Sequence, residues 1–342
     1  MIFRLGTGLV ALFIAVGPAR ATPYTYTTID DPFAVANGNT TAADINSSGV
    51  VTGFYTDASG VTHGFVDSSG SFSTLDVPST LAVDGEIINA TTPYRINDSG
   101  VIAGSYNASN TLTGHGFVDN GGSFSAINVP STLAPPGSTV GSATTQVTGL
   151  NNLGVLAGTY FTTDGVPHSF VDANGSFTEV DDPLGTLGTT VTGINNSGDL
   201  SGVYYDSLGT HGFIDIGGVF TPIVDPLAAA GGFDTLVEGI NDANSVVGEY
   251  VDNSNVDHGF LDIGGIFTPI DDPLATIGTI VIGINDMDEV VGYYGDTTGI
   301  HGFVAVPEAA IVPEPASLVL LITGLAGLGA VRRLATARGR AA

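Results

Sequence analysis

The chain has 342 residues, 49 of them Gly and none Cys, with 34 Asp and Glu against 7 Arg and no Lys. The missing cysteine excludes a disulfide scaffold and a thiolate metal site, and a net charge of −27 repels phosphate and argues against a nucleic-acid partner. A charged fraction of 12%, with Gly, Thr and Ser abundant, is unlike the Ala, Glu, Lys and Leu filling of long helices and points to an all-β chain.

Residues 1–21 carry Arg4, an apolar run from Leu9 to Val16, a Gly17-Pro18 break and the small-x-small triplet Ala19-Arg20-Ala21. That is the pattern of a secretory signal peptide, with cleavage expected after Ala21. The run is too short to span a bilayer.

Self-similarity dominates the region that follows. An Ile/Leu-Asn pair recurs at Asn46, Asn97, Asn151, Asn195, Asn241 and Asn285. Seven residues after each Asn stands a Gly (Gly53, Gly104, Gly158, Gly202, Gly248, Gly292), and nine after it a Tyr (Tyr55, Tyr106, Tyr160, Tyr204, Tyr250, Tyr294). Sixteen to eighteen residues after it come His63, His115, His168, His211, His258 and His301, each followed two residues later by Phe. Within a repeat, four short strand-like runs alternate with turn residues, as in 191–195, 199–206, 210–216 and 219–225, which is an all-β signal. Three residues after the Asn stand Gly49, Gly100, Gly154, Gly198, Asn244 and Asp288, the residue types that tolerate positive φ, so a hairpin turn is expected there.

Four strands in a repeat of this length is the arithmetic of a β-propeller blade. The sixth repeat stops at Phe303-Val304-Ala305-Val306 without its fourth strand, whereas Tyr26-Thr27-Thr28-Ile29-Asp30-Asp31-Pro32-Phe33 reads like Phe267-Thr268-Pro269-Ile270-Asp271-Asp272-Pro273-Leu274. An N-terminal strand paired with 302–306 would close six blades over residues 22–306 and leave no open sheet edge. An open β-solenoid gives no reason for the displaced strand. The repeats resemble the HAF family of extracellular repeats, named for its His-x-Phe core, over most of residues 24–306. The resemblance implies a surface-exposed propeller of unassigned activity and carries over no catalytic residue.

The histidines invite a metal-site reading, but six of them on six third strands cannot converge on one ion. His and Phe two apart share a strand face, so the imidazole is expected beside the Phe between blades, with Asp57, Asp206, Asp252 or Asp296 as local partner; Ala108 and Thr162 break that column. The six Asn and six His are therefore read as structural residues. Acidic groupings at Asp286, Asp288 and Glu289, at Asp252 and Asp257, and at Asp181-Asp182 and Asp271-Asp272 offer the hard oxygens that calcium prefers. No EF-hand loop is present, so weak loop-bound calcium is the extent of the cofactor expectation and the metal assignment stays unknown.

After a linker, 307–315, that ends in Val312-Pro313-Glu314-Pro315, an apolar run at 316–331 precedes Arg332, Arg333, Arg338 and Arg340. An apolar helix followed by basic residues is a stop-transfer element that leaves its arginines, 332–342, in the cytoplasm. At 16 residues the run is slightly shorter than the ~17 to 25 of a stable span, which suits transient anchoring. The order of Pro-Glu-Pro, span and Arg cluster resembles the PEP-CTERM sorting signal of Gram-negative bacteria. That resemblance covers about 312–342 and implies processing by an exosortase-type protease and delivery to the cell surface, envelope or extracellular matrix, including biofilm matrix. Residues 22–315 hold all 34 acids and, as cations, Arg95 alone, a net charge of −33. Such a surface attracts divalent cations or cationic partners.

Long links between the first two pairs of blades, 77–94 and 129–147, are where binding function is expected; Asp84, Glu86 and Arg95 are the charged residues in or beside the first. No nucleophile elbow, zinc motif, phosphate loop or dinucleotide fingerprint appears, so no catalytic residue is assigned. The sequence points to a non-enzymatic structural or glycan-binding propeller with extracellular polysaccharide as partner. The alternative is a polysaccharide hydrolase or lyase using channel carboxylates.

Overall fold

The computed structural model describes residues 23–35, 39–82, 87–108, 114–141, 145–229 and 235–308. The expected signal peptide, Val312 to Pro315, the 316–331 helix, and Arg332 and Arg333 lie outside them. Among the described residues no helix is long and apolar enough to cross a membrane.

The compact body Tyr24–Pro307 is an all-β propeller. Its unit is an antiparallel four-stranded meander, such as Gly188–Ile194, Leu200–Tyr205, Thr210–Ile216 and Val219–Ile223. Each repeat forms one meander, and the last is completed by Tyr24–Ile29, which pairs antiparallel with Ile300–Pro307 from Tyr24↔Pro307 to Ile29↔Gly302. The register is the one that the repeated sequence of Tyr26 to Phe33 implies, because that strand occupies the place of Ile266–Ile270 in the preceding meander.

The sheets are not the six independent blades expected. Four are separate and four-stranded, while the first two repeats share one eight-stranded sheet. The join is a single parallel bridge, Thr62↔Ala90. It arises because the inner strand of the second repeat, Ile88–Ile96, is nine residues long against six in Thr40–Ile45. Its extra N-terminal residues reach the third strand of the first repeat.

Two complete sequence columns follow from backbone geometry. Every inner strand carries a register shift three residues before the Asn, opposite the Gly of its neighbour, as between Ala42 and Asp44 or between Val191 and Gly193. A Cβ on Gly202 would collide with the carbonyl oxygen of Thr190 and with the Phe213 ring, and the same clash recurs at Gly53, Gly104 and Gly158. Glycine stands there because the bulged strand and the buried Phe leave no room for a side chain. The turn column behaves as its residue types require: Gly49, Gly100, Gly154, Gly198, Asn244 and Asp288 all have positive φ, between 57° and 84°.

The Asn column links the meanders. In each turn the side-chain oxygen accepts the backbone N–H groups two and four residues on, as from Ser197 and Asp199 to Asn195. Its amide donates to the carbonyl of the next Asn, from Asn46 to Asn97, Asn151, Asn195, Asn241, Asn285 and back to Asn46, at 3.0–3.3 Å. The ring is closed.

The apolar core is distributed in the same cyclic way. Six buried clusters each span two neighbouring repeats, as where Ala157 of the third repeat packs with Val191, Leu200, Tyr204 and Phe213 of the fourth. The last of them joins Val291 of the sixth to Ala42, Val51 and Phe65 of the first. Meander packs on meander around the axis, and the inner strands are left facing a channel.

Candidate functional site

The channel is shaped by the bulges. A bulge leaves one residue unpaired and redirects its side chain; here those residues are Ala43, Tyr94, Thr148, Thr192, Glu238 and Ile282, at the register shifts of the six inner strands. All six line a cavity of about 490 Å³ at the end of the axis where the links between repeats enter. At the opposite end the Asn turns surround a cleft of about 70 Å³.

Among the described residues Arg95 is the one that lines both spaces. Its guanidinium donates to the carbonyls of Ala43, Tyr94, Thr192 and Glu238. These are backbone acceptors of bulge residues from four different repeats, and a planar group with five N–H donors can serve several of them at once. The single cation of residues 22–315 therefore plugs the axis and does not belong to the insertion loop beside which the sequence places it. Its position is the residue after the bulge, which is Asp44 in the first repeat and Gly149, Gly193, Gly239 and Gly283 in the last four. Asp44 is buried, accepts the Ile96 N–H at 2.9 Å, and is pushed up to about 6 by burial, with Arg95 opposing.

Asp44 lines the small cleft; among the described residues the carboxyls that face the larger cavity are two, both from the fifth repeat. Glu238 is the bulge residue, and Glu249 sits on the adjacent strand opposite Leu236. Burial raises Glu238 to about 7 against the attraction of Arg95. Burial, then the charges of Glu238 and Asp257, raise Glu249 to about 8. Among the described residues no donor reaches the buried Glu249 Oε2. Around them stand the rings of Phe54, Tyr94, Tyr205 and Tyr293; Tyr293 is itself raised to about 12 by burial, then by Glu249 and Glu238. The arrangement is an apolar-walled pocket with a few convergent polar groups, the form of a small-molecule site. The sequence reading did not find these residues. The signal for the two acids is a Glu in columns that otherwise hold Ala, Tyr, Thr or Ile at Glu238 and Phe, Ser, Thr, Val or Tyr at Glu249.

The histidines stand on the third strands of the meanders and are not among the residues that line the cavity. Each imidazole stacks on the Tyr of its own repeat with centroids 4.7–5.5 Å apart. Cross-strand register sets His211 directly opposite Tyr204 and Phe213 opposite Gly202, so the stack forms on the strand face that His and Phe share. The expected partners do lie near Nε2: Asp57 at 3.6 Å, Asp206 at 3.1 Å, Asp252 at 3.6 Å and Asp296 at 3.4 Å. A second set on the Nδ1 side was not foreseen, with Asp76 at 2.9 Å, Asn128 at 3.0 Å, Asp181 at 2.5 Å, Asp271 at 3.0 Å and Asp30 at 3.0 Å. These residues follow the fourth strands, two before the Pro, so the signal was present in the sequence.

The acidic groupings proposed for calcium are occupied by turn duties. Asp286 accepts the Asp242 N–H, Asp288 the Asn241 amide and Glu289 the Asn285 amide, while Asp252 holds its own turn. Among the described residues the group whose ligand atoms converge for a metal is His168, Glu179 and Asp181, all within 4.8 Å of one another.

No family model matches the chain, and no curated protein is similar to it. Among solved structures it is similar to the sialidase of Trypanosoma rangeli at 9% identity and a TM-score of 0.50, over 82% of this chain and 59% of that one. It is also similar to the fucose-recognising lectin of Aleuria aurantia at 14% identity and 0.42, over 73% and 77%, and to AofleA of Arthrobotrys oligospora at 12% and 0.42, over 84% and 94%. At such identities the likeness concerns the propeller fold alone.

Proposed function

We propose that the chain is an exported, non-enzymatic propeller, six-bladed when counted by repeat, that binds neutral glycan in its axial cavity. The observation that carries this reading is the cavity itself: Tyr94, Tyr205 and Tyr293 offer rings against which a sugar face packs, and Glu238, Glu249 and Gln146 offer convergent donors and acceptors. Aromatic walls with a few oriented polar groups favour a ligand that is part apolar and part hydroxyl. A carboxyl that stays protonated near neutral pH donates as well as accepts a hydrogen bond. The strong negative charge of the body disfavours anionic polymers.

Hydrolysis is the second reading, and Glu238 with Glu249 is the observation that favours it. Glycoside cleavage needs one carboxylic acid and one carboxylate. Burial raises both groups here, so below about pH 7 neither serves well as the ionised partner, and binding ranks first. The experiment is a melting-temperature screen of the protein against neutral polysaccharide fragments, repeated with Tyr293→Ala. A ligand at a hundredfold excess over Kd adds about 2.7 kcal/mol, so a shift present in the native protein and absent in the variant is the expected result. No shift across the panel, or one that survives Tyr293→Ala, overturns the site. Release of reducing ends that is lost in Glu249→Gln would move the assignment to a hydrolase.

Export and sorting belong to the same proposal. The terminal segments support a route through the membrane with transient anchoring and removal of the tail by an exosortase-type protease, leaving the propeller at the cell surface or in the matrix. Mass spectrometry of the protein from cells with and without such a protease tests it: an unchanged C-terminus in both would refute processing.

A further inference from the structure

Five of the six repeats use their His in the same limited way, stacked on Tyr and held by one or two acidic or amide oxygens; the third departs from the pattern at three positions. Its Glu179 stands eleven residues after His168, where the others have Thr74, Ala126, Pro222, Pro269 and, in the closing strand, Thr28. Thr162 replaces the Asp that flanks Nε2 in four other repeats, and Ser169 replaces the Gly that follows His. All three departures surround one imidazole.

We propose that His168, Glu179 and Asp181 form a site for a divalent transition metal of the zinc class. Each of the three offers an atom within 4.8 Å of the other two, so small side-chain rotations bring them to the roughly 3.3–3.6 Å that separates ligands held at ~2.0–2.2 Å around a tetrahedral ion. The ligands are also oriented from behind. The Ser169 N–H donates to Asp181 Oδ1 at 2.9 Å, which leaves Oδ2 toward His168 Nδ1 at 2.5 Å. The Tyr160 hydroxyl donates to Glu179 Oε2 at 3.3 Å while its ring stacks on the imidazole at 5.5 Å. Outer partners of this kind fix the direction of metal ligands.

Ser169 itself is locked, its hydroxyl donating to the Thr189 carbonyl and accepting the Val191 N–H. Binding requires the His168–Asp181 hydrogen bond to open by under about 1 Å so that the ion replaces the shared proton. One imidazole and two carboxylates make a neutral set around a dication. The mixed nitrogen and oxygen donors suit zinc or its transition-metal neighbours; calcium takes six to eight oxygens, and this set offers too few. Three protein ligands leave a fourth position open to water or to a ligand oxygen. The site lies on the outer strands of the third repeat and shares no residue with the axial cavity, so it stands or falls apart from the glycan reading.

The test is calorimetric titration of the whole protein with zinc chloride, with calcium chloride in parallel, both in enough salt to screen the diffuse negative surface. One zinc equivalent is expected, weakened at least about tenfold by Glu179→Gln. His258→Ala, in the fifth repeat where Pro269 stands in place of Glu179, is expected to leave that equivalent unchanged. Cobalt gives a second readout, since ligation by His168 places visible d–d bands on the protein that Glu179→Gln removes. Absence of a saturable equivalent overturns the proposal. So does zinc affinity that Glu179→Gln leaves intact, or that His258→Ala lowers to the same degree, because the repeated His–Asp pairs would then be the binders.

Discussion

Arg95, Asp44, Glu238 and Glu249 show how single residues are matched to the defects of a regular scaffold. Each bulge turns a backbone carbonyl away from its ladder, and a buried carbonyl without a donor is costly. Arg95 satisfies four of them at once. Arg95→Met is expected to lower stability by about 3 kcal/mol, because it strands those acceptors and removes the charge that restrains Glu238; urea unfolding of the two proteins checks this. The carboxyls set a pH dependence whose sign follows from their raised values. A group that binds its proton more tightly folded than unfolded contributes stability fully below its unfolded value near 4.5, and that contribution is lost as pH rises through the folded value. Glu238 at about 7 and Glu249 at about 8 thus predict a falling melting temperature from about pH 5 to pH 8. The slope is at most about 1.4 kcal/mol per pH unit for each group. The double variant Glu238→Gln with Glu249→Gln should flatten that decline; an unchanged profile would mean the two groups are solvated.

At the scale of the element, the meander repeats its constraints and not its surface. The Gly column is enforced by a clash and the Asn column by three hydrogen bonds per residue, so both recur without exception and were legible in one sequence. Gly202→Ala should cost about 2 kcal/mol or more by displacing the Phe213 ring or the Thr190 strand. Asn195→Ala should cost a similar amount, since it removes two bonds within its turn and those its amide gives to Asn241 and Asn244. Chemical denaturation of each variant measures both. The axial residues were illegible for the converse reason. Positions that face the channel carry no packing demand shared by all repeats, so Ala43, Tyr94, Thr148, Thr192, Glu238 and Ile282 differ freely. An acid among them looks like variation until the bulge shows where it points. The fused first pair of sheets was also hidden, because the length of the Ile88–Ile96 strand is set by its link and not by the repeat motif.

For the whole molecule the governing facts are cyclic closure and charge. Among the described residues every core cluster lies between two repeats, including the sixth and the first, and no repeat holds a core of its own. Deleting residues 24–29 should therefore do more than remove one outer strand: it exposes the Ile300–Pro307 edge and the apolar cluster between the fifth and sixth repeats on which Tyr24 and Tyr26 pack. Loss of a single cooperative melting transition, or aggregation seen by light scattering, is the expected outcome; a native-like melt would show that closure is dispensable.

The terminal strand also imposes a schedule on synthesis. Tyr24–Ile29 is among the first of the described strands to be made, and its partner is the last. At about 5 to 20 residues per second, some 15 to 60 seconds separate them, and throughout that interval the earliest strand has no mate. A nascent chain of this kind can stack its repeats in order, yet it cannot become a ring until translation has passed Pro307. Any factor that shields the first strand during that wait acts on the yield of folded protein while leaving its final stability untouched.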